Sequence, residues 1–186
     1  MKLDVLLKEY RPWNAQEKQD VAEILRRLEQ GEELYTRDNL SSHLTVSGWV
    51  VNPDRTQTLL AYHNLYNSWS WLGGHADGER DLLAVALREV QEESGVTAHP
   101  VSESIFSVEI LPVEGHEKHG TYIPSHLHLN ITFLLEADPD APVRCKADEN
   151  SRVGWFSLED ALAASSEPWI RDRIYRKLNE KVTAFL

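Results

Sequence analysis

A two-glycine step followed by a helical pattern that ends in acids constrains this chain more than any other feature. Residues 73 to 96 read GGHADGERDLLAVALREVQEESGV. Glu89, Glu92 and Glu93 stand at i, i+3 and i+4, neighbours on a helix surface, where like charges repel. They also fall near a helix C-terminus, where the macrodipole favours cations. At about 100° per residue, with Glu89 at zero, Glu92 falls near −60° and Glu93 near +40°. Leu82, Val85 and Ala86 lie in the same sector, whereas Arg80, Ala84, Arg88 and Gln91 lie round the back. The acids therefore continue the inward apolar face. Carboxylates directed into a protein need protons or cations. A hard divalent cation of the Mg²⁺ type, which takes oxygen ligands and keeps several waters, is the economical answer. Gly73 and Gly74, placed as a break after the strand-like SWSWL, let backbone approach a ligand closely.

The rest of the chain supplies a setting. Residues 14–30 predict a helix, with Asn14 as N-cap, an apolar stripe at Val21, Ile24, Leu25 and Leu28, and Gly31 as stop. HLTVSGWVV, TQTLLAYH, ESIFSVEILPV and SHLHLNITFLLEA read as strands, NPDR as a turn and EGHEKHGTYIP as a polar loop. GWFSLEDALAA predicts a strand or turn entering a helix, and PWIRDRIYRKLNEKVTAF a closing helix. The expected class is α/β (α+β), a mixed sheet sandwiched between helices. At 186 residues the chain fits one domain, 1–186, with residues 1–40 as an N-terminal helical extension. A net charge of −11 and the lack of a basic patch argue against nucleic-acid binding. The single cysteine, Cys145, favours a reducing compartment. With no signal pattern at the N-terminus and no span-length apolar run, the expectation is a cytoplasmic protein without membrane attachment.

Gly74 through Val96 resembles the Nudix box of the Nudix hydrolases. Arg88, Glu89, Val90, Glu92, Glu93, Gly95 and Val96 fit that pattern. The sequence departs from it once: the place of the loop glutamate holds Arg80, with Glu79 one residue earlier, as in a loop shortened by one. The resemblance implies a Mg²⁺-dependent (or Mn²⁺-dependent) hydrolase that cleaves a diphosphate linkage in a nucleoside diphosphate joined to another moiety. It implies Glu89 and Glu93 as metal ligands, Glu92 as ligand or base, and the Gly73 carbonyl as a further ligand. It also implies Glu79 as the partner of Arg88; a carboxylate is favourable at a helix N-terminus and an arginine is not, so Arg80 is expected to point to solvent.

Outside the box, Glu149 is either an exposed loop acid or a base or extra ligand. His126, His128 and Asn130 share one strand face by its period of two. That face either lines a substrate pocket or is a solvated or edge face, the second being favoured. Trp69 and Trp71 share a face and either stack on a substrate ring or pack in the core. His116 and His119 lack a compact ligand set for zinc. A non-catalytic nucleotide-sensing module and an enzyme resembling isopentenyl-diphosphate isomerases are the competing functions. A homodimer stays open.

Overall fold

The computed structural model describes residues 2–65, 67–118 and 120–184. Two helices come first, α1 (Leu3–Glu9) and α2 (Ala15–Glu29). Asn14 caps α2 as predicted, its side chain accepting from the Glu17 amide. The strands β1 (Ser42–Val51), β2 (Gln57–His63), β3 (Ser68–Ser70) and β4 (Leu72–His75) lead into α3 (Leu82–Ser94). Then come β5 (His99–Pro100), β6 (Ser107–Val113), β7 (His116–Lys118), β8 (Thr121–Ile123), β9 (His126–Glu136) and β10 (Asn150–Ser157). The chain closes through α4 (Leu158–Ala164), a π-helical segment (Ile170–Tyr175) and α5 (Arg176–Ala184).

The main sheet runs β10-β2-β1-β9-β5, with β3 on β2, β4 on β1 and β6 on β9. The β1–β9 pair is parallel and its neighbours are antiparallel, so the sheet is mixed, as expected. Alternation along β1 sorts the two layers. Leu44, Val46 and Val50 belong to a core shared with α1, α2 and α3. Trp49 and Val51 belong to a second core with Ile174, Tyr175, Leu178 and Val182. The sheet is thus flanked by helices, and none among the described residues is long and apolar enough to cross a membrane.

Two expectations need correction. Gly73 and Gly74 do not break a strand; they lie inside β4, paired with Ser47 and Val46 of β1, and the interruption falls at Trp71. The segment read as a polar loop contains the β7–β8 hairpin, which lacks the apolar alternation that would have marked it.

The edge strand β6 pairs with β9 on one side. On its other side α2 supplies the missing partners: Asp20 accepts from the Ile110 amide at 3.0 Å and Gln16 donates to the Val108 carbonyl at 3.2 Å. Behind them Glu17 and Glu109, both fully buried, bind Lys177 and Lys181 of α5 at 2.9–3.1 Å. The charges are buried but mutually paired, the condition under which such burial is tolerated.

Candidate active site

Asp81 starts α3 by accepting from the Ala84 amide, and Gly95 ends it in the left-handed conformation at φ 75°. Between these caps the apolar stripe Leu82, Val85, Ala86 and Val90 is buried, so the rotation of the helix is fixed. That rotation carries Glu93 into the interior and leaves Glu89 half-buried and Glu92 exposed. The predicted inward sector is therefore real for Glu89 and Glu93, while Glu92 sits at its rim.

The glycines of β4 make room for these acids. A Cβ on Gly74 would stand 2.6 Å from the Glu89 carboxyl carbon, and one on Gly73 would stand 2.2 Å from the Val46 carbonyl oxygen. The Gly73 amide donates to Glu93 Oε2 at 3.1 Å. Burial pushes the Glu93 carboxyl up to about 8; the Gly73 amide opposes this, and Glu149 and Glu89 add to the rise. Burial likewise raises Glu89, against the pull of Arg88.

Glu149 arrives from the loop before β10, which is tied to the end of α3. The buried Asn150 donates to the Glu93 carbonyl at 3.0 Å and accepts from the Lys146 amide at 3.1 Å. This tie sets Lys146 Nζ 3.0 Å from Glu149 and 3.5 Å from Glu92. Nothing in the sequence singles out Lys146 and Asn150, because a polar loop carries no periodicity to place its residues. A buried acid with one amide partner, three further carboxylates about it, and a lysine drawn between the outer pair Glu92 and Glu149 form a set suited to a cation.

The loop before α3 differs from expectation. Glu79 makes no ion pair or hydrogen bond with Arg88; it accepts from the amides of Asp81 and Arg80 at 3.0 and 2.7 Å, which hold its pKa down with a smaller pull from the Arg88 charge. Arg88 instead reaches Glu89 at 3.0 Å and Glu92 at 3.8 Å. The tight turn offers Glu79 its own backbone donors, nearer than the guanidinium. Arg80 is largely solvent-exposed, as expected, with its guanidinium 4.5 Å from the Tyr35 ring centre.

Trp69 and Trp71 are engaged by aromatic neighbours. Trp69 meets Phe156 edge-on at 4.7 Å, and Trp71 meets Tyr175 at 5.5 Å. The face of His126, His128 and Asn130 is not a solvated or edge face, because β9 runs between β1 and β6. Asn130 is buried among Thr45, Ser47, Glu109 and Thr132, and His126 is buried near His43. Burial, then the neighbouring His75 and His43, pull the pKa of His128 down to about 2. His116 starts β7, its ring centre 6.4 Å from that of His126, and His119 lies outside the described residues.

A family model described as NUDIX domain matches residues 41–178. A curated relative from Xenopus laevis, nucleoside diphosphate-linked moiety X motif 6, is 24% identical over 140 residues, 72% of this chain and 58% of that protein. The chain thus spans less than two thirds of that relative's length. Among solved structures, a Caenorhabditis elegans Ap4A hydrolase in a binary complex is similar with TM-score 0.53 and 21% identity, covering 76% of this chain and 96% of that one. The Escherichia coli dihydroneopterin triphosphate pyrophosphohydrolase is similar with TM-score 0.55 and 14% identity, covering 82% and 97%. At such identities the structural likeness speaks for the fold.

Proposed function

The chain belongs to the NUDIX domain family, and from that premise we propose that it is a divalent-metal-dependent pyrophosphohydrolase acting on a nucleoside diphosphate joined to another moiety. One observation carries the reading: Glu89 and Glu149 converge on the buried Glu93 where it accepts from the Gly73 amide, and Lys146 and Arg88 link Glu92 to them at the rim. Glu89, Glu92, Glu93 and the Gly73 carbonyl would hold Mg²⁺ or Mn²⁺. Bound there, such an ion supplies charge neutralisation of the diphosphate oxygens and a lowered pKa for attacking water.

The chain's own groups do the rest. The α3–β4 packing fixes Glu89 and Glu93 before substrate arrives, so no rearrangement is spent on assembling the ligand set. Glu149, held at the mouth by the Asn150 tie, takes the proton from the attacking water, with Glu92 as the alternative acceptor. Lys146 exchanges its carboxylate contacts for the non-reacting phosphate oxygens, which draws the chain of phosphates across the acids. Arg88 steadies Glu89 and Glu92 from the solvent side, and Glu79 holds the turn that starts α3. Trp69 in β3, Trp71 at the step into β4, and His126 and His128 in β9 are candidate substrate contacts borne by the sheet itself. The single exposed cysteine suits a reducing, cytoplasmic setting.

The test is a panel of nucleotide sugars, dinucleoside polyphosphates and nucleoside triphosphates, incubated with Mg²⁺ and resolved by product chromatography. Cleavage at a diphosphate linkage that disappears in Glu93→Gln supports the assignment. Turnover retained by Glu93→Gln at saturating Mg²⁺, or no cleavage anywhere in the panel, overturns it.

A further inference from the structure

Four histidines from three strands, β1, β4 and β9, meet on one face of the sheet. His43 and His128 are direct partners in the parallel β1–β9 pair, and His75 closes β4 beside Thr45 of β1. His126 stands two residues before His128 on the same face. The ring centres of His43 lie 5.1 Å from His75, 4.8 Å from His126 and 5.2 Å from His128. Those of His75 and His128 lie 5.0 Å apart. One ring nitrogen from each of His43, His75 and His128 falls within 4.8 Å of the other two.

Backbone carbonyls set the tautomers. Nδ1 of His43 lies 3.1 Å from the Asn39 carbonyl, which can only accept, so that nitrogen carries the proton. Nε2 of His43 is then a bare lone pair, and it is buried without a partner on a residue 5% exposed. Nδ1 of His126 donates to the Pro124 carbonyl at 2.8 Å, and its bare Nε2 stands 3.2 Å from Nε2 of His128. The proton between those two comes from His128. An imidazole oriented by a carbonyl behind it, with its other nitrogen bare, is how a protein presents histidine to a metal. A buried nitrogen lone pair left unsatisfied is costly without one.

We propose that His43, His75 and His128 form a binding site for a divalent transition ion of the zinc class, with His126 holding the His128 ring. Imidazole nitrogens suit zinc, copper, nickel or cobalt and not Mg²⁺, which takes oxygens. At zinc–nitrogen distances of about 2.0–2.1 Å, tetrahedral ligand nitrogens lie roughly 3.3 Å apart. The three rings therefore have to close by up to about 1.5 Å, within reach of small side-chain rotations. His75 and His128 are half-buried, which leaves an entry path. Three histidines leave a fourth position for water or a ligand oxygen.

The site is distinct from the carboxylate cluster. Gly74 faces Glu89, and His75, one residue on, points to the opposite face of β4. An ion there would clamp β4 to β1 and β9, two residues from the Gly73 amide that holds Glu93.

The experiment is Co²⁺ binding to the full chain after chelator treatment, in a Glu89→Gln/Glu93→Gln background that silences the acids, read by visible d–d absorption and backed by Zn²⁺ calorimetry. The expected result is one Co²⁺ per chain with the intense bands of a low-coordinate nitrogen site, displaced by Zn²⁺. His75→Ala, at a half-buried position, and His128→Gln should each weaken binding by more than the roughly 10–100-fold that loss of an outer-shell partner costs. Circular dichroism confirms that each variant is folded; if His128→Gln is not, His75→Ala alone decides. No Co²⁺ bands in the acid-silenced protein, or bands unchanged in a folded His75→Ala, overturn the proposal. The readout needs no turnover, so its failure and that of the hydrolase assignment are separable.

Discussion

Exchange of Glu93 for glutamine should change not only turnover but the pH dependence of folding. Glutamine keeps an oxygen for the Gly73 amide and removes the charge. In the metal-free protein the Glu93 carboxyl is raised from 4.5 to about 8. Between those two values the folded state holds a proton that the unfolded chain has released, so stability falls as pH rises through that window. The rise is 8 − 4.5, about 3.5 pH units, and at about 1.4 kcal/mol per pH unit its ceiling is roughly 5 kcal/mol. The variant lacks this loss. In urea unfolding with EDTA, the stability of the wild type relative to Glu93→Gln should therefore decline from about pH 5 to about pH 8 and level off above. Saturating Mg²⁺ should reverse the wild-type slope, because the ligand form is the carboxylate. Parallel wild-type and variant curves across the whole range in EDTA would refute the burial of Glu93 as a strained acid.

Three further outcomes follow from the same geometry. Mg²⁺ should stabilise the wild type by about 2.7 kcal/mol at a hundred times its dissociation constant, read as a higher thermal midpoint, and the increment should shrink sharply in Glu89→Gln. Gly74→Ala should cut kcat at least tenfold with little change in melting temperature, since its Cβ would displace the end of a side chain and not backbone; unchanged kcat would show that Glu89 need not sit where it does. Asn150→Ala should cost about 1–3 kcal/mol in denaturant titration, from the Glu93 carbonyl and Lys146 amide left unpaired, and should lower activity by freeing Glu149.

What was legible in the sequence was local. The acid sector on α3 follows from the period of one helix, and the Asn14 cap from a single turn. The two glycines stand out in the sequence, but their reason does not: one makes way for a carbonyl of β1 and the other for the Glu89 carboxyl, contacts that exist only once β1, β4 and α3 have packed. The histidine cluster was out of reach for a stronger reason. It depends on the register His43 opposite His128 between strands far apart in the chain, and no period within either strand reports that pairing. The pairing of Glu79 with Arg88 follows only from the resemblance to the Nudix box, and the backbone amides of its own turn are nearer partners.

The covering of β6 by α2 bears on where this chain can be cut. The family match begins at residue 41, and that number invites an expression boundary there. A protein trimmed to it would lose Asp20 and Gln16, and the outer backbone groups of β6 would stand as an open template for any passing strand. It would also lose Glu17, leaving Lys181 without its buried carboxylate partner. Such a fragment would keep every residue of the acid cluster and still come out of solution as oligomers or inclusion bodies, its chemistry intact on paper and its solubility left behind in the first helices.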